Sequence, residues 1–208
     1  MMDNHLSIAI VSFKSEKIIF RCLKNLKKFK NIFILDNSND INLKKRIRKN
    51  YPNVKFFISK KNLGYPRGNN YFLNKIKTKY ALLLNPDSII KYKYVNKLLL
   101  SAKQLDDKFA IITPKKNNFP LQNYFNSKKI KSRKKNKKLI EIDKVYFFAP
   151  LFNVRVIKKY GFFDKNIFLY YDDLDLCKTL KKNNEKIYLC LNSFAYHVSG
   201  KSSKSKNY

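Results

Sequence analysis

Apolar residues in this chain come in short blocks, and the spacing within the blocks alternates between two kinds. Residues 7–13, 32–35, 54–58 and 80–84 are near-continuous apolar runs. Runs this short and this apolar fit strands buried on both faces, as in a parallel sheet. Between them the spacing becomes helical. Ser15 and Glu16 open a segment with Ile18, Ile19, Cys22, Leu23 and Leu26 on one face, and Asn31 breaks it. A second helix is predicted over 42–50, stopped by Tyr51-Pro52, and a third over 69–77. A fourth spans 92–105, with Val95, Leu98, Leu99 and Ala102 on one face. Strand–helix alternation at this spacing predicts an α/β fold: a mostly parallel central sheet, joined by right-handed crossovers and flanked by helices.

The second half is less regular. Residues 109–113 read as a strand. Residues 115–141 turn polar and like-charged, densest between Lys128 and Lys138, and such runs are usually mobile. Order resumes at 145–149. A helix over 154–160 closes at Gly161, the residue suited to a left-handed C-terminal cap. Another starts at the acids near 172 and continues to about Lys182, followed by strand-like 187–191 and 194–196 and a polar tail from 199 to 208.

The candidate chemistry stands at the ends of these elements. The run over 80–84 stops at Asn85-Pro86-Asp87. Pro86 cannot donate to a sheet ladder, so Asp87 is delivered just beyond the carboxyl end of a buried strand, where open α/β sheets bind ligands. The same three residues also read as a turn capping the next helix. Asp36 and Asp40 follow the run over 32–35, on the same rim. Asp172, Asp173 and Asp175 place three acids in four positions, in a chain with only 14 acids against 46 basic residues. Rim carboxylates suit Mg²⁺ or Mn²⁺, hard cations held by one or two carboxylates together with substrate phosphates. The 172–175 group supplies either a general base or helix N-terminal acids favoured by the dipole.

Composition narrows the setting. The chain has 208 residues, 44% of them hydrophobic, enough for one domain with a real core. Cys22, Cys177 and Cys190 lack metal-site spacing, and their odd number argues against a disulfide framework. No apolar run approaches the ~20 residues of a membrane span, and the opening residues do not form a signal peptide. These features predict a cytoplasmic protein. The net charge of +32 first suggests nucleic acid, but only six of the 46 basic residues are Arg. Arg is the side chain suited to bidentate base and phosphate contacts, so no specific nucleic-acid partner is expected. Lys, Asn, Ile, Phe and Tyr are abundant throughout, which reads as a coding bias rather than a binding patch. The charge still predicts salt-dependent attraction to an anionic membrane surface, and hence peripheral attachment to the inner face of the plasma membrane.

Seven blocks in order then resemble family 2 glycosyltransferases of the rhamnosyltransferase-like branch. Ile10-Val11-Ser12-Phe13-Lys14-Ser15 resembles Val-Thr-Tyr-Asn-Ser. Leu35-Asp36-Asn37-Ser38-Asn39-Asp40 resembles the nucleotide loop Val-Asp-Asn-x-Ser-x-Asp, one residue shorter. Asn62-Leu63-Gly64-Tyr65-Pro66-Arg67-Gly68-Asn69-Asn70 resembles Asn-Leu-Gly-Phe-x-Gly-Gly-Asn-Asn. Leu82-Leu83-Leu84-Asn85-Pro86-Asp87 resembles that branch's form of the metal-binding Asp-x-Asp motif. Tyr160-Gly161-Phe162-Phe163-Asp164 resembles Gly-Gly-Phe-Asp, and residues 168–177 resemble Phe-Leu-Tyr-x-Glu-Asp-x-Asp-Leu-Cys. Tyr196-His197 with Gly200 resembles the closing Tyr-His-x-x-Gly.

The resemblance implies a single-domain Rossmann-like A-type glycosyltransferase fold. About 1–114 would bind the nucleotide sugar, 115–143 would be a basic mobile loop, about 144–198 would form the acceptor and catalytic half, and 199–208 the tail. It implies inverting, divalent-cation-dependent transfer, with Mg²⁺ or Mn²⁺, from a nucleotide-diphosphate sugar. Deoxythymidine-diphosphate rhamnose is the branch's favourite donor, with the sugar set by pocket shape, and the acceptor implied is a glycan or lipid-linked molecule of cell-surface polysaccharide synthesis. Val11, Phe13, Asp36 and Asn37 would cradle base and ribose, with Gly64, Arg67, Asn69 and Asn85 completing the donor site. Asp87 would ligate the metal, and His197 the metal or the diphosphate. Asp173 would be the general base, with Asp172 in reserve. Arg67 in place of glycine would either pair with the diphosphate or obstruct it. Phe147 and Phe148 fall near the acceptor floor, and the chain stops soon after His197. The competing expectation is a degenerate, non-catalytic member that binds anionic membranes or polyanions through its lysines.

Overall fold

The computed structural model describes residues 2–118, 120–124 and 138–197. Its centre is a nine-stranded sheet. The strands are β1 (Leu6–Ser12), β2 (Ile32–Asp36), β3 (Val54–Ile58), β4 (Tyr80–Leu83), β5 (Ser88–Ile90), β6 (Ile111–Lys116), β7 (Leu139–Glu141), β8 (Leu151–Asn153) and β9 (Ile187–His197). They run β3-β2-β1-β4-β8-β6-β9-β5, with β7 also pairing to β9. The first four are parallel to one another, as is β6 to β9. The short pairings through β8, β5 and β7 are antiparallel.

Alternation along β1 shows how the core forms. Leu6, Ile8 and Ile10 join one cluster with Ile19, Cys22 and Leu23 of α1 (Glu16–Lys24), Leu43 and Ile47 of α2 (Ile41–Asn50), and Val95 and Leu98 of α4 (Tyr92–Gln104). Ala9 and Val11 join the opposite cluster with Phe72 and Leu73 of α3 (Gly64–Leu73), Ile157 of α5 (Val154–Lys158), and Leu176 and Leu180 of α6 (Asp172–Lys182). Helices therefore cover both faces, and strand ends are the places left open for polar chemistry. Cys22, Cys177 and Cys190 are free and buried. No helix among the described residues is long and apolar enough to cross a membrane.

Several elements differ from the sequence reading. The first helix ends at Lys24, not Asn31. The third begins at Gly64, not 69, because Pro66 lies in the first turn, where its missing N–H has no intrahelical partner to lose. Strands β5 and β8 have three residues each, too few for a period to register. The expected strands at 187–191 and 194–196 are one strand, β9, and β6 reaches Lys116 beside it. The register between them shifts at Pro114/Lys115, where proline interrupts donation to the ladder. Part of the expected basic loop, 119 and 125–137, lies outside the described residues, as does the tail from 198.

Candidate active site

The carboxyl ends of β1, β2 and β4 open onto a cleft of about 500 Å³, closed on its far side by 146–148 and 168–174. Val11, Phe13, Asn37, Gly64, Asn85, Asp87, Asp172, Asp173 and His197 all line it. Val11 and His197, 186 positions apart in sequence, thus meet in one space.

Asp87 follows β4 through Asn85-Pro86, and the turn is fixed by Ser88 N–H donating to the Asn85 carbonyl at 3.0 Å. The residue is 5% exposed, yet neither carboxylate oxygen accepts a hydrogen bond. His197 Nε2 stands 3.1 Å from Asp87 Oδ1 and 3.4 Å from Asn85 Nδ2. The imidazole is stacked on Phe148, with ring centres 5.8 Å apart. Asn85 Oδ1 and His197 Nδ1 are also buried without partners. A buried carboxylate that accepts no hydrogen bond is expensive, and here its neighbours are an amide oxygen and an imidazole suited to a divalent cation. Among the described residues, no group of three or more His, Cys, Asp or Glu is placed to hold a metal.

Across the cleft, Asp172 and Asp173 open α6, following two residues, Tyr170 and Tyr171, in the left-handed backbone region (φ 64° and 61°). That region costs a side-chain-bearing residue about 1 kcal/mol or more. Burial, then the neighbouring Asp173 charge, pushes the Asp172 carboxyl up to about 7. Burial also raises Asp173, opposed by backbone N–H groups that favour its charged form, including that of Leu174 at 2.8 Å. A carboxyl poised near neutrality is what proton transfer at physiological pH requires.

Three expected site residues lie outside the cleft lining. Asp36 is fully buried, and its carboxylate accepts from the Ser12 hydroxyl (2.9 Å), the Ser38 hydroxyl and the N–H groups of Ser38 and Asp40. It holds the 36–40 loop in shape. Arg67 is exposed, and its Nε donates to the Lys165 carbonyl at 2.6 Å. Asn69 is buried against the same helix, donating to the Tyr65 carbonyl at 2.9 Å.

Asn37 and Tyr65 show what the cleft offers a ligand. Asn37 Nδ2 donates to the Gly64 carbonyl at 3.1 Å, which orients the amide and leaves Oδ1 buried and unpaired. Gly64 has φ +75°, and an added Cβ would overlap the Phe168 carbonyl oxygen. That carbonyl accepts from Tyr65 N–H at 3.1 Å, joining the 64–65 turn to the 168–173 loop. The Tyr65 hydroxyl is buried without a partner, and burial followed by the charges of Asp172 and Asp173 holds its pKa well above the usual phenol value. It is therefore a donor at any physiological pH. Sequence reasoning passed over Tyr65, although tyrosine in place of the pattern's phenylalanine was its visible signal. The loop residues Phe168, Tyr170 and Tyr171 were also passed over.

A nucleotide-loop rim on a parallel half-sheet, facing acids from a mixed half-sheet, defines an A-type glycosyltransferase fold. The sequence profile described as Glycosyl transferase family 2 matches residues 7–161, and the chain belongs to that family. Among curated proteins, it is 24% identical over 206 residues to the low-salt glycan biosynthesis hexosyltransferase Agl10 of Haloferax volcanii, covering 91% of this chain and 66% of that protein. Among solved structures it resembles the mannosyltransferase PcManGT from Pyrobaculum calidifontis in complex with GDP-Man and Mn²⁺. The TM-score is 0.73 at 11% identity, covering 96% of this chain and 58% of that one. It also resembles GalNAc-T7 with UDP, GalNAc and Mn²⁺ (TM-score 0.72, 12% identity, 93% and 44% covered). S. aureus TarS 1-349 with UDP-GlcNAc is similar at a TM-score of 0.69 and 16% identity, with 98% and 61% covered. The chain thus spans less than two thirds of the length of each of these relatives.

Proposed function

We propose that this chain transfers a sugar, with inversion, from a nucleotide-diphosphate donor to an acceptor hydroxyl, using a divalent cation at Asp87. The observation that carries this reading is the buried Asp87 carboxylate on the cleft floor, which accepts no hydrogen bond and stands 3.1 Å from His197 Nε2, opposite Asp172 and Asp173. Asp87, with His197 or Asn85 beside it, suits Mg²⁺ or Mn²⁺, whose remaining ligands would be diphosphate and water oxygens. Bound there, the cation neutralises charge building on the departing diphosphate. The solved neighbours named with Mn²⁺ and nucleotides support this use of the rim.

The protein's own groups take the other roles. Asn37 Oδ1 is a fixed acceptor, complementary to the imide N–H of uracil or thymine. Val11 and Phe13 flank the base and ribose. The Tyr65 hydroxyl donates to the donor sugar or its diphosphate. Asp173, half-buried and held by backbone N–H groups, takes the acceptor proton. Asp172, partly protonated at neutral pH, keeps a second full charge away from it. Attack from the Asp173 side, opposite the leaving diphosphate, inverts the anomeric carbon without a covalent sugar–enzyme intermediate.

A rhamnosyl donor rests on motif resemblance alone and is one candidate among thymidine and uridine diphosphate sugars. A role in cell-surface polysaccharide synthesis, on the cytoplasmic face of the membrane, is supported by the glycan-biosynthesis relative and the net charge of +32. The degenerate, purely polyanion-binding alternative is disfavoured because Asp87, Asp172 and Asp173 share one cleft.

The test is donor turnover with Mn²⁺ or Mg²⁺ across a nucleotide-sugar panel, for wild type, Asp87→Ala and Asp173→Asn. Each variant should lose about 100-fold or more. Wild-type rates in both would remove these residues from the reaction.

A further inference from the structure

The chain has 14 acids, yet none of them falls in β5, α4, β6 or β9. These elements meet at one end of the sheet, where β5 closes the strand order. Paired positions of neighbouring strands share a face, and here Ile89 pairs with Tyr196 and Lys115 with Phe194. Phe194 and Tyr196 are exposed by 41% and 57%. The Phe194 ring meets Tyr94 of α4 edge-on, with centres 5.5 Å apart. Three ammonium groups border these rings. Lys115 Nζ lies 5.3 Å from the centre of Phe194, and those of Lys93 and Lys97 lie 5.1 Å and 5.6 Å from the centre of Tyr94. The patch adjoins the cleft along the chain: Ile89 stands just beyond Asp87, and Tyr196 directly precedes His197.

We propose that this face docks on an anionic bilayer, with the Phe194 and Tyr196 rings at the headgroup–acyl boundary and Lys93, Lys97 and Lys115 against lipid phosphates. Exposed rings bordered by lysines, with no acid among them, complement a surface that is apolar beneath and negative above. A second copy of the chain is a poor occupant, because two lysine-bearing faces without acids repel. Single-stranded nucleic acid is a poor one too. Base stacking needs open ring faces, and lysines already lie over those of Tyr94 and Phe194. A bilayer needs only ring edges and amines. Docked in this way, the protein carries the Asp87–His197 side of its cleft beside the headgroups. The proposal rests on the peripheral attachment argued above from net charge, to which it assigns a face, and not on the transfer chemistry.

Two charge reversals of equal size separate a docking face from overall charge. Lys93→Glu with Lys97→Glu alters the patch. Lys55→Glu with Lys75→Glu alters exposed lysines elsewhere, the first on β3 at the opposite end of the sheet. Each Lys→Glu removes two charges, so either pair lowers the net charge by four, from +32 to +28. Co-sedimentation of the full chain with vesicles of phosphatidylcholine and phosphatidylglycerol should weaken about tenfold or more for the patch pair, and about twofold at most for the other. Circular dichroism checks that both fold. The chain has no Trp, so Phe194→Trp supplies a single reporter. Its emission should shift to the blue with these vesicles and not with phosphatidylcholine alone, while Ile41→Trp, at an exposed position of α2, should not shift with either. Equal weakening by the two pairs, or an unshifted Phe194→Trp, overturns this face and leaves attachment by overall charge standing. A shift produced by protein concentration alone assigns the face to a second copy, and one produced by oligothymidylate but not by vesicles assigns it to nucleic acid. Either overturns the proposal. Absence of any binding to anionic vesicles would remove peripheral attachment as well, and would leave nucleotide-sugar turnover untouched.

Discussion

Asp172 and Asp173 are adjacent in sequence but differently solvated, and the difference is measurable. The folded-state pKa of Asp172 is about 7 against an ordinary value of 3.8. Between those values the folded protein keeps a proton that the unfolded chain has released, so stability falls as pH rises through this window and stays lower above it. Asp172→Asn removes the penalty. Its melting temperature should exceed wild type by a few degrees at pH 8, at about 2–4 °C per kcal/mol for a chain of this size, and match it near pH 4. Transfer activity should fall in the same variant, the trade-off expected where a strained acid serves function. Of the residues in this cleft, Asp87, Asp172 and Asp173 were legible because each ends or opens an element, and Asn37 and His197 only through the family resemblance. Asp36, Arg67 and Asn69 belong to equally recognisable blocks. Their side chains are taken by neighbours that no linear pattern reveals: Ser12 and Ser38, the Lys165 carbonyl and the Tyr65 carbonyl.

At the scale of elements, α3 lies close on β1. A Cβ at Gly68 would sit 2.8 Å and 3.0 Å from the two Val11 methyls. Gly68→Ala should destabilise by about 1–3 kcal/mol through overpacking, read as a lower urea midpoint with unchanged slope. Val11→Ala in the same chain should recover part of that loss. Close packing of this kind cannot be read from a helical period, which is why the sequence placed the start of α3 five residues late. The four parallel strands were legible as apolar runs buried on both faces. Strands β5 and β8 were not, because three residues carry no period and their pairing is decided by partners far along the chain. The single length of β9 was hidden by Asn192 and Ser193, polar residues that interrupt its apolar run. The Ser193 hydroxyl finds its partner in the Tyr94 carbonyl of α4 at 2.9 Å.

At the scale of the molecule, +32 dominates every encounter with a charged surface. Lysines lie over the rings of Phe33, Tyr71, Tyr94 and Phe194, cation–π contacts that leave most of the charge facing solvent. Co-sedimentation with phosphatidylglycerol vesicles should be strong at low salt and lost as the Debye length falls below about 10 Å. Neutral vesicles should give little binding at any salt. Insensitivity to lipid charge would separate this protein from the membrane surface.

The edge of the sheet sets the order in which the site can be completed. Strand β5, directly after Asp87, pairs only with β9, through Ser88↔His197, Ile89↔Tyr196 and Ile90↔Ala195. The strand beside Asp87 therefore has no sheet neighbour among the described residues until a segment more than a hundred residues later has been synthesised and docked. Closing a loop of that length is among the slower events in folding. During translation, the rim of β1 and β2 can form well before His197 leaves the ribosome. On the proposed reading, a nascent chain would gain affinity for nucleotide before it gains the means to cleave a sugar from it.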